Sequence, residues 1–255
     1  MRLGSDPEYP VYDERGLLTM AIGKIGGSKR NPMPMSMGFV QEDGVMAEIN
    51  PPPADTVNDF VASTQGTMAA LDELLSSKGL SSRPISCVRF TQEALMAAPE
   101  AMRFGCSPEV DAYDGSEFSP PSPRTTLRTG AGHIHIDDEV ARDHPLILAK
   151  ALDLYLGVPS LILDEAGAER RDLYGRPGSI RIKSYGIEYR VLSNFWTADE
   201  GLIRWVWQQV ARAIGHVQTN MELPCTIQEV INTNDLQMAR ELSVFYSLLP
   251  CEAVA

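Results

Sequence analysis

Apolar and polar residues alternate twice within residues 178–196, and that pattern frames the rest of the chain. Ile180, Ile182, Ile187, Tyr189 and Val191 are interleaved with Arg181, Lys183, Glu188 and Arg190. A period of two is that of a half-buried strand. Arg181 and Lys183 therefore share one face of a first strand, and Glu188 and Arg190 one face of a second. Ser184, Tyr185 and Gly186 can turn the chain between them. The same reading predicts a strand over 3–12, with Asp6 and Glu8 on one face and Pro7 marking a strand end or edge. A short strand follows at 17–23. Residues 38–50 read as a hairpin turning at Asp43 and Gly44, with Glu48 and Asn50 on one face. Residues 85–90 read as another strand. In 126–137, His133 and His135 lie two apart beside Gly130 and Gly132.

Helical spacing predicts a helix from Ala54 or Asp55 to Ser77, stopping at Gly79, and a short one at 92–98. Another spans 143–157, with Pro145 in its first turn and Gly157 at its end. Residues 158–164 are apolar and receive no firm assignment. Helices at 202–216, 226–232 and 236–249 close the chain, with Trp205, Trp207, Phe245 and Tyr246 read as core. The stretch 26–38 has no period and reads as a loop, either a lid or an irregular connection. No linker divides the chain, so 1–255 reads as a single domain.

The formal charge is −12, from 22 basic and 34 acidic residues, so neither nucleic acid nor an anionic membrane is expected as a partner. No apolar run of membrane-spanning length and no signal-peptide core is read, which gives a cytoplasmic expectation. Cys87, Cys106, Cys225 and Cys251 form no C-x-x-C pair. They read as buried thiols, and Cys106, beside acidic residues, reads as a poor nucleophile. One repeat stands out. Residues 4–13 and 105–114 both fit G-x-x-P-E-x-x-x-Y-D, which reads as two strands of like acidic geometry or as a recurrent strand-and-turn pattern.

Polar pairs at i, i+2 recur as Asp6/Glu8, Glu48/Asn50, His133/His135 and Glu188/Arg190, with Arg181/Lys183 purely cationic. On one sheet face they can converge. Carboxylates with a histidine suit magnesium or manganese better than zinc, and arginines suit phosphate oxygens. A glycine bend beside His133 allows close backbone approach and favours a metal or phosphate there. Arg171 and Arg176, just upstream of Arg181, join Lys183 and Arg190 as candidate nucleotide contacts. There is no P-loop and no dinucleotide fingerprint. A nucleotide would be held through metal ions and arginines. A charged strand face paired in water is the plainer reading of residues 178–196 taken alone.

The order GSDPE, EDGVMAEIN, GAGHIHID, RPGSIRIKSYGIEYRVLSNFW resembles the phage-encoded carboxylate–amine ligases of type 2, which are similar to glutamine synthetase and the glutamate–cysteine ligases. The resemblance runs from Gly4 to Trp196. It implies an α+β fold, with a curved, mainly antiparallel sheet carrying helices on its convex side. It also implies ATP and Mg²⁺ or Mn²⁺ as cofactors, and amide formation between a small-molecule or peptide carboxylate and an amine through an acyl phosphate. By the same resemblance Glu8, Glu48 and Glu188 are metal ligands, with His133 or His135 as another. Asp6, where relatives carry glutamate, is a shorter candidate. Arg181 and Arg190 contact phosphate with help from Lys183; relatives often assemble, so a homo-oligomer is open to this chain, with its oligomeric state left undetermined. Glu109 and Asp111 receive no role. The competing readings are a metal-dependent hydrolase built on the His-x-His pair and a non-catalytic phage protein on a ligase-like fold.

Overall fold

The structure, a computed structural model, describes residues 1–98, 101, 109–118 and 125–250. Cys106, Cys251 and the first four letters of the second repeat copy (105–108) lie outside the described residues. The N-terminal segment is three strands, not one: β1 (Arg2–Ser5), β2 (Glu8–Tyr9) and β3 (Val11–Tyr12), followed by β4 (Leu18–Thr19). Pro7 and Pro10 lack the N–H that would continue a ladder, so the chain steps from one sheet to the next at each. The 26–38 loop contains one short strand, β5 (Met33–Pro34), and leads into the expected hairpin β6 (Phe39–Asp43) and β7 (Met46–Asn50). Helix α1 (Val57–Ser76) starts one turn later than Ala54. Its N-cap is Thr56, whose hydroxyl accepts from the Asp59 N–H at 3.2 Å. Then come β8 (Ser81–Ser82), β9 (Cys87–Arg89), α2 (Gln92–Ala97), β10 (Glu109–Asp111), β11 (Glu117–Phe118), β12 (Leu127–Thr129) and β13 (Ile134–Asp137). Cys87 is half-buried and Cys225 exposed, so neither is the buried thiol expected.

After α3 (Glu139–Asp143), helix α4 (Pro145–Leu152) does not stop at Gly157. It passes through a π-turn (Asp153–Gly157) into α5 (Val158–Leu163). Gly157 serves packing here: a β-carbon would lie 2.9 Å from Ile231 Cδ1 and 3.1 Å from the Tyr189 hydroxyl. The combined helix Pro145–Leu163 is apolar and long enough to cross a bilayer, which corrects the expectation of no such run; most of it is buried inside the fold, as in a core helix. The chain continues through α6 (Gly167–Arg171), β14 (Ser179–Lys183), β15 (Gly186–Tyr189), α7 (Glu200–Gln218), α8 (Ile227–Thr233) and α9 (Leu236–Phe245). Trp205 is buried as expected, but Phe245 is 78 % exposed and is not core.

The result is mixed helix and antiparallel sheet. The largest sheet has the order β1-β13-β15-β14-β10-β11, beside sheets β2-β7-β6-β5, β4-β3-β8 and β12-β9. Ile134, Ile136, Ile180, Ile187 and Tyr189 are fully buried in one cluster with Leu148, Leu152, Val206 and Val210 of α4 and α7. This side of the central sheet is therefore its core side, and strand alternation sends the intervening charged residues to the other. A second cluster joins Val40, Ala47 and Ile49 of the hairpin to Leu71 and Leu75 of α1.

Candidate functional site

Register aligns the charged residues. Gly4 pairs with His135, His135 with Glu188, and Glu188 with Arg181, so these four form one row across β1, β13, β15 and β14. In the next row lie Arg2, Asp137, Gly186 and Lys183. In front of them is a cleft of about 310 Å³, lined by Asp6, Glu8, Glu48, His133, His135, Arg181, Lys183, Glu188 and Arg190. The structure therefore brings nine of the eleven sequence-identified candidates to one cavity. It also adds Lys29, Gln41, Asp43, Asn50, Arg128 and Tyr174.

Two acidic groups lie in this cleft. In the first, ligand atoms of Asp6, His135 and Glu188 are within 4.8 Å of one another. Glu188 is buried among cations: Lys183 Nζ is 2.8 Å from one carboxylate oxygen, Arg181 Nη1 is 3.3 Å from the other, and Arg190 Nη1 also donates to the latter. Arg190 is itself held by Glu109, which accepts from its Nε at 2.8 Å; both side chains are almost fully buried. Asp6 lies beyond the end of β1 and faces both histidines, 3.1 Å from His133 Nδ1 and 3.3 Å from His135 Nε2. Burial alone would raise the Asp6 carboxyl, but the two imidazoles outweigh it and hold it well below the usual carboxylate range. Burial and the Arg190 guanidinium lower His133. Burial also opposes charge on His135, yet Asp6 prevails and raises it.

The second group is Glu8, Asp43 and Glu48, again with ligand atoms within 4.8 Å. Glu8 and Glu48 are direct cross-strand partners, an arrangement that sets like charges against each other. Their hydrogen-bond donors are neutral. The Ala131 N–H donates to Glu8 at 3.1 Å and Gln41 Nε2 to Glu48 at 2.9 Å. Burial, followed by the Asp43 charge, pushes Glu8 up to about 8. Burial, then Asp6 and Glu8, pushes Glu48 well above the usual range.

Several expectations need correction. Asp6 and Glu8 do not share a strand face, because Pro7 breaks the strand and they join different groups. Arg171 and Arg176 do not line the cleft. Arg171 donates to Asn234 at 2.8 Å, and Arg176 pairs with Asp111 at 2.5 Å and lies over the Phe118 ring. The glycines beside His133 face other segments of the protein: a β-carbon on Gly132 would meet the Ser193 carbonyl at 2.2 Å, and one on Gly130 would meet the Asn194 side chain at Nδ2, 2.6 Å away. Their role is close packing against residues 193–196. In the repeat, Asp13 and Asp114 each accept backbone N–H groups of the following turn, from Arg15 and Leu17 and from Ser116. The described letters thus follow the strand-and-turn pattern, while Glu8 and Glu109 do different work. Asp43 was missed because it was taken as a turn residue. Hairpin register contains the signal, since Gln41 pairs with Glu48 and Asp43 is two further along the same face.

The family model described as Phage phiEco32-like COOH.NH2 ligase-type 2 matches residues 116–234. The resemblance read from the sequence is thereby supported over the His-x-His and cationic strands, and the match continues into α7 and α8, where no motif was read. No curated protein matches the chain. Among solved structures, one titled "Crystal structure of novel glutamine synthase homolog" is similar, with a TM-score of 0.44 and 13 % identity. The alignment covers 95 % of this chain and 62 % of that one, so this chain spans about three-fifths of its length.

Proposed function

We propose that this chain is an ATP-dependent carboxylate–amine ligase forming an amide through an acyl phosphate. The observation that carries the reading is the single cleft in which two carboxylate groups meet Arg181, Lys183 and Arg190. The ligase-type match over 116–234 supports it.

The residues fit divalent cations. Each group offers three ligand atoms within 4.8 Å, neither contains cysteine, and oxygen donors predominate, as magnesium or manganese requires. Asp6, His135 and Glu188 would hold one ion and Glu8, Asp43 and Glu48 another. Such ions, when bound, neutralise phosphate oxygens and stabilise charge developing during phosphoryl transfer. The protein's own cations act beside them. Arg181 and Lys183 have 12 % and 35 % of their side chains exposed, so both can reach arriving phosphate oxygens. Arg190 is locked by Glu109 and supplies fixed positive charge beneath them. A substrate carboxylate oxygen attacks the γ-phosphorus and ADP leaves. An amine nitrogen then attacks the acyl carbon, inorganic phosphate leaves, and the nitrogen gives up a proton. Only His135 of the two histidines falls in a three-ligand group among the described residues, which offers little to a hydrolase built on both.

The reading carries its companions: a curved sheet with helices on its convex side, a single catalytic domain, a cytoplasmic setting, a small-molecule or peptide carboxylate with an amine, and a homo-oligomer. The test is phosphate release by purified protein. Release that requires ATP, Mg²⁺ or Mn²⁺, a carboxylate and an amine together, and that falls at least about 100-fold in Arg181→Ala, is the expected result. Tight zinc with no ATP-dependent turnover overturns the reading.

A further inference from the structure

The central sheet carries a second cavity that the proposed chemistry does not use. It measures about 350 Å³ and adjoins the cleft, with His135 and Asn50 contributing to both. Its floor is Gly4, and Pro51, Pro53 and Tyr185 form walls that are mostly apolar. A cavity of this size and lining is of the kind that takes a small organic ligand. Tyr185 is fixed in place, its hydroxyl 2.6 Å from His135 Nδ1. The two ionic groups at its edge are already engaged: Arg2 makes a bidentate pair with Asp55 at 2.8 and 3.0 Å, and Asp137 pairs with Arg142 at 2.7 Å. What remains for a ligand is mostly apolar surface, with Ser5 and Asn50 also in the lining; Ser5 Oγ and Asn50 Nδ2 are buried and have no hydrogen-bond partner among the described residues.

Position decides which substrate it suits. The row Gly4, His135, Glu188, Arg181 places this cavity over β1 and the phosphate-binding cations on β14 and β15. Between β1 and β14 lie three strand spacings, roughly 14 Å. An occupant anchored over Gly4 meets the centre of the cleft from the side opposite Arg181 and Lys183. Those cations suit the nucleotide and the substrate carboxylate, whereas the wall shared with this cavity presents His135 and, behind it, Asp6. We propose that this cavity binds the amine substrate of the ligase through an apolar substituent, with the amino group directed past His135 toward the cleft. This rests on the ligase reading and adds the class of amine: a primary amine carrying an alkyl or aryl group.

Gly4 makes the idea testable. A β-carbon there would meet His135 Cβ at 3.6 Å and Pro53 Cβ at 3.7 Å, ordinary contacts, and its φ lies outside the left-handed region. Alanine therefore fits, while leucine fills the cavity from its floor. The experiment is calorimetric binding of methylamine, butylamine, hexylamine, benzylamine and hexanoate to the full chain with a non-hydrolysable ATP analogue and Mn²⁺. Wild type is expected to gain roughly fourfold in affinity per added methylene up to butylamine, and to bind hexylamine at least about tenfold tighter than hexanoate. Gly4→Leu should abolish the dependence on chain length and weaken hexylamine at least about tenfold, with Gly4→Ala intermediate. If the leucine variant does not fold, the alanine variant still decides. A chain-length dependence missing from wild type, or intact in both variants, overturns the proposal; so does hexanoate binding as tightly as hexylamine. Methylamine-driven phosphate release without any chain-length dependence sinks the cavity assignment alone. Alkylamine binding that depends on Gly4, in a chain releasing no phosphate from ATP, sinks the ligase reading and with it the amine's role as substrate.

Discussion

The two acidic groups in the cleft lie side by side yet are built on opposite electrostatic plans. Around Glu188 the protein supplies its own counter-charge, with Lys183, Arg181 and Arg190 all donating to one buried carboxylate. Around Glu8, Asp43 and Glu48 it supplies neutral donors and lets burial push two carboxyls up. The first group is compensated and can hold its shape unaided. The second is left with a demand for positive charge, which a divalent ion would meet. A site that brings such a pair together can keep Arg181, Lys183 and Arg190 in place before any ion arrives.

The sharpest way to break this contrast is to remove one carboxylate charge from each group. Glu188→Gln leaves three cations around a neutral amide, one of them the buried Arg190. It should cost about 3–5 kcal/mol of stability in chelator-treated protein and reduce ATP-dependent phosphate release at least about 1,000-fold. Glu48→Gln should behave oppositely in the same buffer. It relieves carboxylate repulsion and retains an oxygen to accept from Gln41, so urea titration should show unchanged or increased stability, by up to ~2 kcal/mol. What it should lose is stabilisation by added Mn²⁺. Equal destabilisation of the two variants with chelator would show that the groups do not differ in this way.

A smaller effect separates them by pH. Glu8 is raised from the ordinary 4.5 to about 8. A carboxyl raised in the fold contributes stability that is fully present below the unfolded value, about 4.5, and is lost as pH rises through about 8. Asp6, held low by its histidines, runs the other way: its contribution is present above the unfolded carboxylate range and is lost as pH falls. In chelator-treated protein, Glu8→Gln should therefore flatten the decline in stability between about pH 5 and 8, an effect on the order of a few kcal/mol at most. Saturating Mn²⁺ should flatten it in wild type. A wild-type stability that climbs across that window with chelator present would count against an uncompensated second group.

These contrasts were only half legible in the sequence. Alternation in residues 178–196 identified β14 and β15, with Arg181 and Lys183 on one face of the first and Glu188 and Arg190 on one face of the second, because strand period maps directly onto sheet face; the register that joins the two pairs was not legible. The hairpin was readable for the same reason, down to Glu48. Asp43 was concealed by its turn. Asp6 and Glu8 were assigned to one strand because period-two reasoning assumes a continuous ladder, which Pro7 interrupts. Glu109 could not be matched to Arg190 by local pattern, since 81 residues separate them and only the sheet order brings them together. Gly130 and Gly132 were visible as glycines, but what approaches them was not: residues 193–196 lie more than sixty positions away.

Arg171 and Arg176 give the smallest expected effect and the cleanest control on how far sequence proximity can be trusted. They precede β14 and belong to the same basic stretch as Arg181, yet neither lines the cleft. Arg171 donates to Asn234 at the end of α8, and Arg176 spends its charge on Asp111. If charge near the cleft were enough to hold nucleotide phosphates, removing either would weaken ATP. If only cations within the row across β14 and β15 can compensate Glu188 and meet phosphate, Arg171→Ala should leave the KM for ATP within about twofold and cost about 1 kcal/mol of stability from the lost hydrogen bond. Arg176→Ala should likewise spare KM, although it leaves the buried Asp111 without its cation and costs somewhat more, about 2 kcal/mol. A tenfold rise in the KM for ATP in either variant would mean that the compensated group extends beyond the strands that define it here, and the distinction between the two halves of the cleft would have to be redrawn.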